Sequence, residues 1–286
     1  MRTETYATPG PLRLNLEIPA GQIEIETANT DETQVQLEAL SGNEQVRDLV
    51  ASARIDLVRR GEGHEVIVEM RLRHGFWISF GRGPDIRLRV TCPHGADLDI
   101  NTKSADVEAR GEFGSVDVKT ASGDIQVEEA KGDTRIKTAS GDVHVERARS
   151  SLEMQSASGD LHAGAVDGEL RAQLVSGDVH VREVGGSIST NTVSGDQRFE
   201  AVERGRVELK AISGDVNVGI RRGSRLYVDA NTVSGSTSSE LELSDAPVEL
   251  PEDAPLVELF VKTVSGDVRI ERAPAPRTAP GVTKGS

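Results

Sequence analysis

The chain is poor in aromatic residues, which make up 3% of its 286 positions, and it has a single cysteine, Cys92. One thiol excludes an internal disulfide framework, and so few rings leave little to fill a broad globular core. Long apolar runs are also missing. No stretch approaches the roughly 18 residues of a membrane-spanning helix, and the opening MRTETYATPGPLRL lacks the apolar centre of a secretory signal. These absences set the expectation of a reducing, cytoplasmic setting without direct membrane insertion. Positive charge is short as well: 33 Lys and Arg stand against 47 Asp and Glu, a net charge of −14. Nucleic acid needs a basic footprint and is not expected as a partner. No nucleophile elbow, Walker loop or dinucleotide fingerprint leads from a strand into a helix. The expectation is therefore a chain that is not an enzyme, with no catalytic residue and no cofactor.

What the chain does have is one turn, repeated. Its serines fall at Ser104, Ser122, Ser140, Ser158, Ser176 and Ser194, each 18 residues after the last, then more loosely at Ser213, Ser234 and Ser265. A fixed period of this length marks a stack of similar coils. Within each coil apolar residues alternate with polar ones, as in Val116/Val118, Ile125/Val127, Val143/Val145 and Val179/Val181. Period-2 alternation is a half-buried strand. The predicted fold is all-β: a parallel two-sheet β-solenoid with two short strands in each 18-residue coil. Coils should stack about 4.8 Å apart, with the sheets about 10 Å apart.

Residues 1–103 follow the same logic less regularly and are expected to form an N-terminal β cap and first irregular coils. One short helix is predicted in the stretch NEQVRDLVASA, Asn43 to Ala53. The repeat then continues as a solenoid over 104–273, interrupted by an acidic, proline-rich loop at 236–255 and followed by a disordered tail at 274–286.

Each turn position has a predicted role. Gly123, Gly141, Gly159, Gly177, Gly195, Gly214 and Gly266 permit a positive φ. Asp124, Asp142, Asp160, Asp178, Asp196, Asp215 and Asp267 are expected to accept bonds from their own turn's amides. The residue before each serine, Ala121, Ala139, Ala157, Val175, Val193, Ile212, Val233 or Val264, reads as an apolar plug at the inner corner.

The strings VKTASGDIQV, LVSGDVHV and VKTVSGDVRI, with the segment IRLRVTCPHGADLDI, resemble a bacterial β-strand-repeat family of unknown function known as "putative adhesin", related to the toastrack domains of envelope-stress proteins. The resemblance spans about Ile86 to Ala273. It implies a right-handed, β-helix-like solenoid and surface display, and it supplies no catalytic residue to carry over.

Three groups are candidates for function. His144, His162 and His180 follow their turn aspartates by two residues and should stack in one outward column, where neighbouring imidazoles could share a transition-metal ion. The alternative is an exposed polar position copied by repeat duplication. The aspartate ladder could bridge calcium, although backbone capping explains it as well. Phe76, Trp77, Phe80 and Arg82 gather the only tryptophan and two of five phenylalanines in one hairpin beside arginines, a composition suited to partner contact or to capping the first coil. The reading is a non-enzymatic, rigid scaffold or adhesin-like module that binds a protein partner or self-associates head to tail. Its alternative is a metal-ion or small-ligand binder that uses the outer His or Asp columns.

Overall fold

A computed structural model describes residues 1–70, 85–240 and 254–273. The regular part of the stack is two parallel ladders. Val116–Lys119, Thr134–Ser140, Leu152–Ser158, Leu170–Ser176, Ile188–Ser194 and Gly205–Ser213 form the first sheet. Ile125–Ala130, Val143–Ala148, Leu161–Val166, Val179–Val184, Gln197–Val202 and Val216–Ile220 form the second. Registers are in phase from coil to coil, as in Leu152 against Leu170 and Val143 against Leu161. The fold is thus the two-sheet β-solenoid that the 18-residue period predicts. Alternation sends Val143, Val145, Leu152, Met154, Leu161 and Leu170 into a narrow core where each is fully buried.

The chain does not stack its coils in sequence order at either end. Leu12–Ala28, long enough to run through both sheets, lies between Asp97–Phe113 on one side and Gly63–Glu69 with Ile86–Pro93 on the other, all parallel. At the far end Leu256–Ser265 inserts between Gly205–Ser213 and Arg225–Ser234, and Val268–Arg272 inserts between Val216–Ile220 and Thr237–Ser239. The coil last in sequence is therefore interior to the stack, and residues 225–239 form its outermost described coil. An interior coil is paired on both edges and cannot fray from the terminus as a sequential end coil would.

Beyond its first coils the N-terminal end is antiparallel. Arg54–Arg60 adds to Gly63–Glu69, while Glu32–Ala39 and then Arg2–Ala7 add to Ile86–Pro93. The helix is Glu44–Ala51, and the Asn43 side chain accepts the Gln45 amide at 2.9 Å as its N-cap. It buries Val46, Leu49 and Val50 against the core.

Two expectations about the turn need correction. The residues before the serines are not inner plugs: Val175 and Ile212 are each 55% exposed, and Ala121, Ala139 and Ala157 also face outward. The strand runs on through the turn, so alternation places Thr138 inside and Ala139 outside. The inner corner is held by position-minus-two residues, and in several coils their hydroxyls close the turn. Thr120 and Thr138 donate to the carbonyls of Ser122 and Ser140 at 2.7 and 2.8 Å.

The second correction concerns the aspartates. Their carboxylates do not cap their own turns; each accepts the backbone amide of the aspartate one coil further along. Asp142 N–H donates to Asp124 Oδ1 at 3.0 Å, Asp160 to Asp142 at 2.9 Å, and Asp178 to Asp160 at 2.8 Å. The ladder begins at Asp106 and follows the spatial order, passing from Asp215 to Asp267. Parallel stacking aligns each amide with the carboxylate of the neighbouring coil.

Candidate functional site

The turn glycines serve the same stacking. Gly159 has φ +127°, and a Cβ there would lie 2.2 Å from the Gly141 carbonyl oxygen, a distance no side chain tolerates. Stacked backbones touch at this corner, so its Gly and Asp are occupied in holding coils together. The thiol of Cys92 is sealed in the core, and burial pushes it up to about 12.

The three histidines do share a column. His144 pairs with His162 and His162 with His180 in register, on the outer face of the second sheet. The rings of His162 and His180 meet edge to face with centroids 6.0 Å apart. His180 Nε2 lies 2.7 Å from Glu200 Oε1, and His144 Nε2 is 3.5 Å from Glu146 Oε2, so two of the imidazoles are turned to carboxylates. Among the described residues no three His, Cys, Asp or Glu side chains converge on a point that could hold an ion. The same column continues to Gln126, Glu108 and Glu24, and the outer face beside it forms a concavity of about 480 Å³.

An adjoining column of this sheet shows how tightly neighbouring coils interact. Arg182 reaches over Gly164 to the Glu146 carboxylate, two coils away. A Cβ on Gly164 would fall 2.5 Å from the Arg182 guanidinium, so glycine is what opens the path.

The residues before the serines, which the sequence places at the inner corner, form instead an outward column. In stack order it runs Ala121, Ala139, Ala157, Val175, Val193, Ile212, Val264, Val233. Five of the twelve exposed large apolar side chains among the described residues lie in it, so the apolar surface is concentrated on one corner. Beside it a shallow groove of about 780 Å³ is bordered by Gln155, Gln173 and Asn191, with Lys137 and Lys210 at its two ends. Further along the same face Phe260 carries the Arg206 guanidinium 4.5 Å from its ring centroid and the Tyr227 ring at 5.8 Å. No motif announced this cluster, because its three members are distant in sequence. The one available signal was an aromatic residue at an outward position of two different strands.

Phe76, Trp77, Phe80 and Arg82, proposed for partner contact, lie outside the described residues. Most of the acidic loop, residues 241–253, and the tail 274–286 lie outside them as well. Among the described residues no helix is long and apolar enough to cross a membrane.

Comparison with solved structures finds chains of the same general extent. A "putative adhesin" from Bacteroides fragilis is 15% identical, with 94% of this chain and 96% of that chain covered at a TM-score of 0.45. One from Parabacteroides distasonis is 9% identical, with 94% and 96% covered and a TM-score of 0.44. A "putative lipid binding protein" from Parabacteroides distasonis is 13% identical over 94% and 96%, with a TM-score of 0.42. A search of curated proteins finds no match. The family model described as Toastrack DUF4097 matches residues 12–183 and, in a second overlapping placement, residues 150–271. Together the two matches take in every coil from Leu12 to the inserted final strands, and the chain belongs to the Toastrack DUF4097 family.

Proposed function

We propose that this protein is a non-enzymatic, rigid β-solenoid that works as an adhesin-like protein-interaction module, in which residues 1–103 cap and begin a stack continued by 104–273. The observation that carries this reading is the exposed column Val175, Val193, Ile212, Val264, Val233 with its flanking groove. Apolar surface kept on one outer corner, coil after coil, remains about half exposed after the coils have stacked and suits contact with another protein. The repeat's aspartates and glycines are engaged between coils, so the recurrence of the turn within the chain is explained by stacking. Phe76, Trp77, Phe80 and Arg82 are a second contact in this reading. Affinity capture from the native cell lysate tests it, comparing the intact chain with Val193→Lys/Ile212→Lys and Trp77→Ala/Phe80→Ala variants. A partner held by the intact chain and lost from either variant is the expected result. Equal recovery by all three, or no partner for any, contradicts it.

The register of His144, His162 and His180 favours a second reading, a binder of transition-metal ions on the outer face. Zinc titration separates the two: saturable heat that disappears in His162→Ala supports the metal, and an unchanged melting temperature with no heat removes it.

A further inference from the structure

The two ends of the stack are finished differently. At the N-terminal end the sheet edges close on each other: Tyr6 Oη donates to the Ile55 carbonyl at 3.1 Å, the Arg2 guanidinium donates to the Ala53 carbonyl, and the helix buries its apolar face beside them. At the other end Arg225–Ser234 pairs with Leu256–Ser265 on one edge and, among the described residues, with no strand on the other. Val228 sits in the core column above Leu259, yet it is 41% exposed where Leu259 is fully buried. Such an edge, with apolar side chains and unpaired backbone groups, is a template for another strand.

The chemistry of this edge argues against one more parallel coil. The aspartate ladder ends here, because the last turn carries Ser236 where the others carry aspartate. Ser236 gives its amide and its hydroxyl to Asp267 Oδ1 at 2.8 and 2.9 Å and has no carboxylate to offer a further amide. An in-register parallel copy would also set Arg225 against Arg225 and Asp229 against Asp229.

We propose that the Arg225–Asp229 part of this edge strand pairs antiparallel with the same five residues of a second copy of this chain, about a two-fold axis at Tyr227. The segment reads Arg225-Leu226-Tyr227-Val228-Asp229, with Arg225, Tyr227 and Asp229 outward and Leu226 and Val228 toward the core. Centred on Tyr227, antiparallel pairing sets Arg225 opposite Asp229 of the second copy and Leu226 opposite its Val228, each contact made twice, as a two-fold interface requires. Centring on Val228 instead sets Arg225 opposite Asn231 and Tyr227 opposite Asp229, and leaves both charges without a partner of opposite sign. Asp229 makes no hydrogen bond or ion pair among the described residues, and Arg225 spends only its Nε, on the Ala254 carbonyl at 3.3 Å. This deepens the interaction-module reading and rests on it only in taking the chain's contact to be with protein.

The test is sedimentation velocity of the full chain over a concentration series at low salt. The intact chain is expected to dimerise, and Asp229→Arg, which brings like charges together twice, to weaken the dimer by about tenfold or more. Arg225→Asp/Asp229→Arg is expected to restore it, since the same opposite charges then face each other in exchanged places. Thermal melts of the dilute monomers check that all three chains are folded. A monomeric intact chain overturns the proposal, as does a dimer indifferent to Asp229→Arg or a double variant no better than the single one. A monomer that still captures a protein from lysate overturns the pairing and leaves the interaction-module reading standing, so the two failures are distinct.

Discussion

One carboxylate oxygen of Asp160 accepts the backbone amide of Asp178 at 2.8 Å, a bond that joins two coils and closes neither turn. The repeated aspartate is therefore a fastener between neighbours, and its removal is felt one coil further on. Asp160→Ala leaves that amide to water and should lower stability by about 1 kcal/mol. Asp160→Asn keeps an acceptor oxygen and should lose less than half as much. Denaturant melts of the two variants give the comparison. Calcium should leave the melting temperature of the intact chain unchanged, and a rise that vanishes in Asp160→Asn would return the ladder to ion binding.

The glycine beside that aspartate answers to two constraints at once. Gly159→Ala must place a methyl group 2.2 Å from the Gly141 carbonyl while holding φ at +127°, and should cost about 3 kcal/mol or more. Gly223→Ala shares the positive φ, +89°, but meets nothing within 4 Å and should cost only about 1–2 kcal/mol. Urea melts that rank the two variants equally would show that stacking contact is not what selects glycine.

Gln197 occupies a core column between Val179 and Val216, and it is fully buried. Its amide is satisfied: Thr190 donates to Oε1, and Nε2 donates to Thr192 Oγ1 at 2.8 Å and to the Lys210 carbonyl at 3.0 Å. Gln197→Leu strands two buried hydroxyls and should destabilise by about 2 kcal/mol. The triple change Gln197→Val/Thr190→Val/Thr192→Val removes the group together and should stay within about 1 kcal/mol of the intact chain. In a stack of near-identical coils one polar site also distinguishes the correct register from a slip by a whole coil, so hydrogen exchange of the triple variant should show less uniform protection.

Asp267 gives a pH dependence of known sign. The Ser236 amide, then its hydroxyl, hold this carboxylate below the ordinary aspartate value of 3.8. A folded-state value below the unfolded one means that the contribution is complete above 3.8 and is lost as pH falls through the lower folded value. Melting temperatures of the intact chain and of Asp267→Asn should therefore differ at neutral pH and converge in acid below that window. A gap that persists there would assign the stabilisation to something other than the carboxylate's charge.

The period of the serines is enough to read the coil, the two sheets and the parallel register, because each depends on residues close in sequence. The orientation of the residue before each serine is not legible from the turn motif alone, because the strand continues into the turn and Thr138 and Ala139 keep its alternation. The swapped order of the final coils depends on which strand Gly205–Ser213 selects, a pairing between segments distant in sequence that local alternation does not reveal. Ser236, in place of the usual aspartate, was the one residue that marked its coil as the last. The exposed column follows from the alternation that runs through the turn, and the Tyr227, Phe260 and Arg206 cluster from the insertion of Leu256–Ser265 between Gly205–Ser213 and Arg225–Ser234.

Which coil ends the stack decides the ladder's last bond, the exposed edge and the pairing of two copies. Hydrogen exchange read by mass spectrometry on dilute, monomeric protein measures this directly. Peptides from 256–272 should exchange slowly, like those of the central coils, and peptides from 225–239 should exchange faster, as an outermost coil paired on one edge must. Faster exchange in 256–272 than in 225–239 would put the coils back in sequence order and contradict the account.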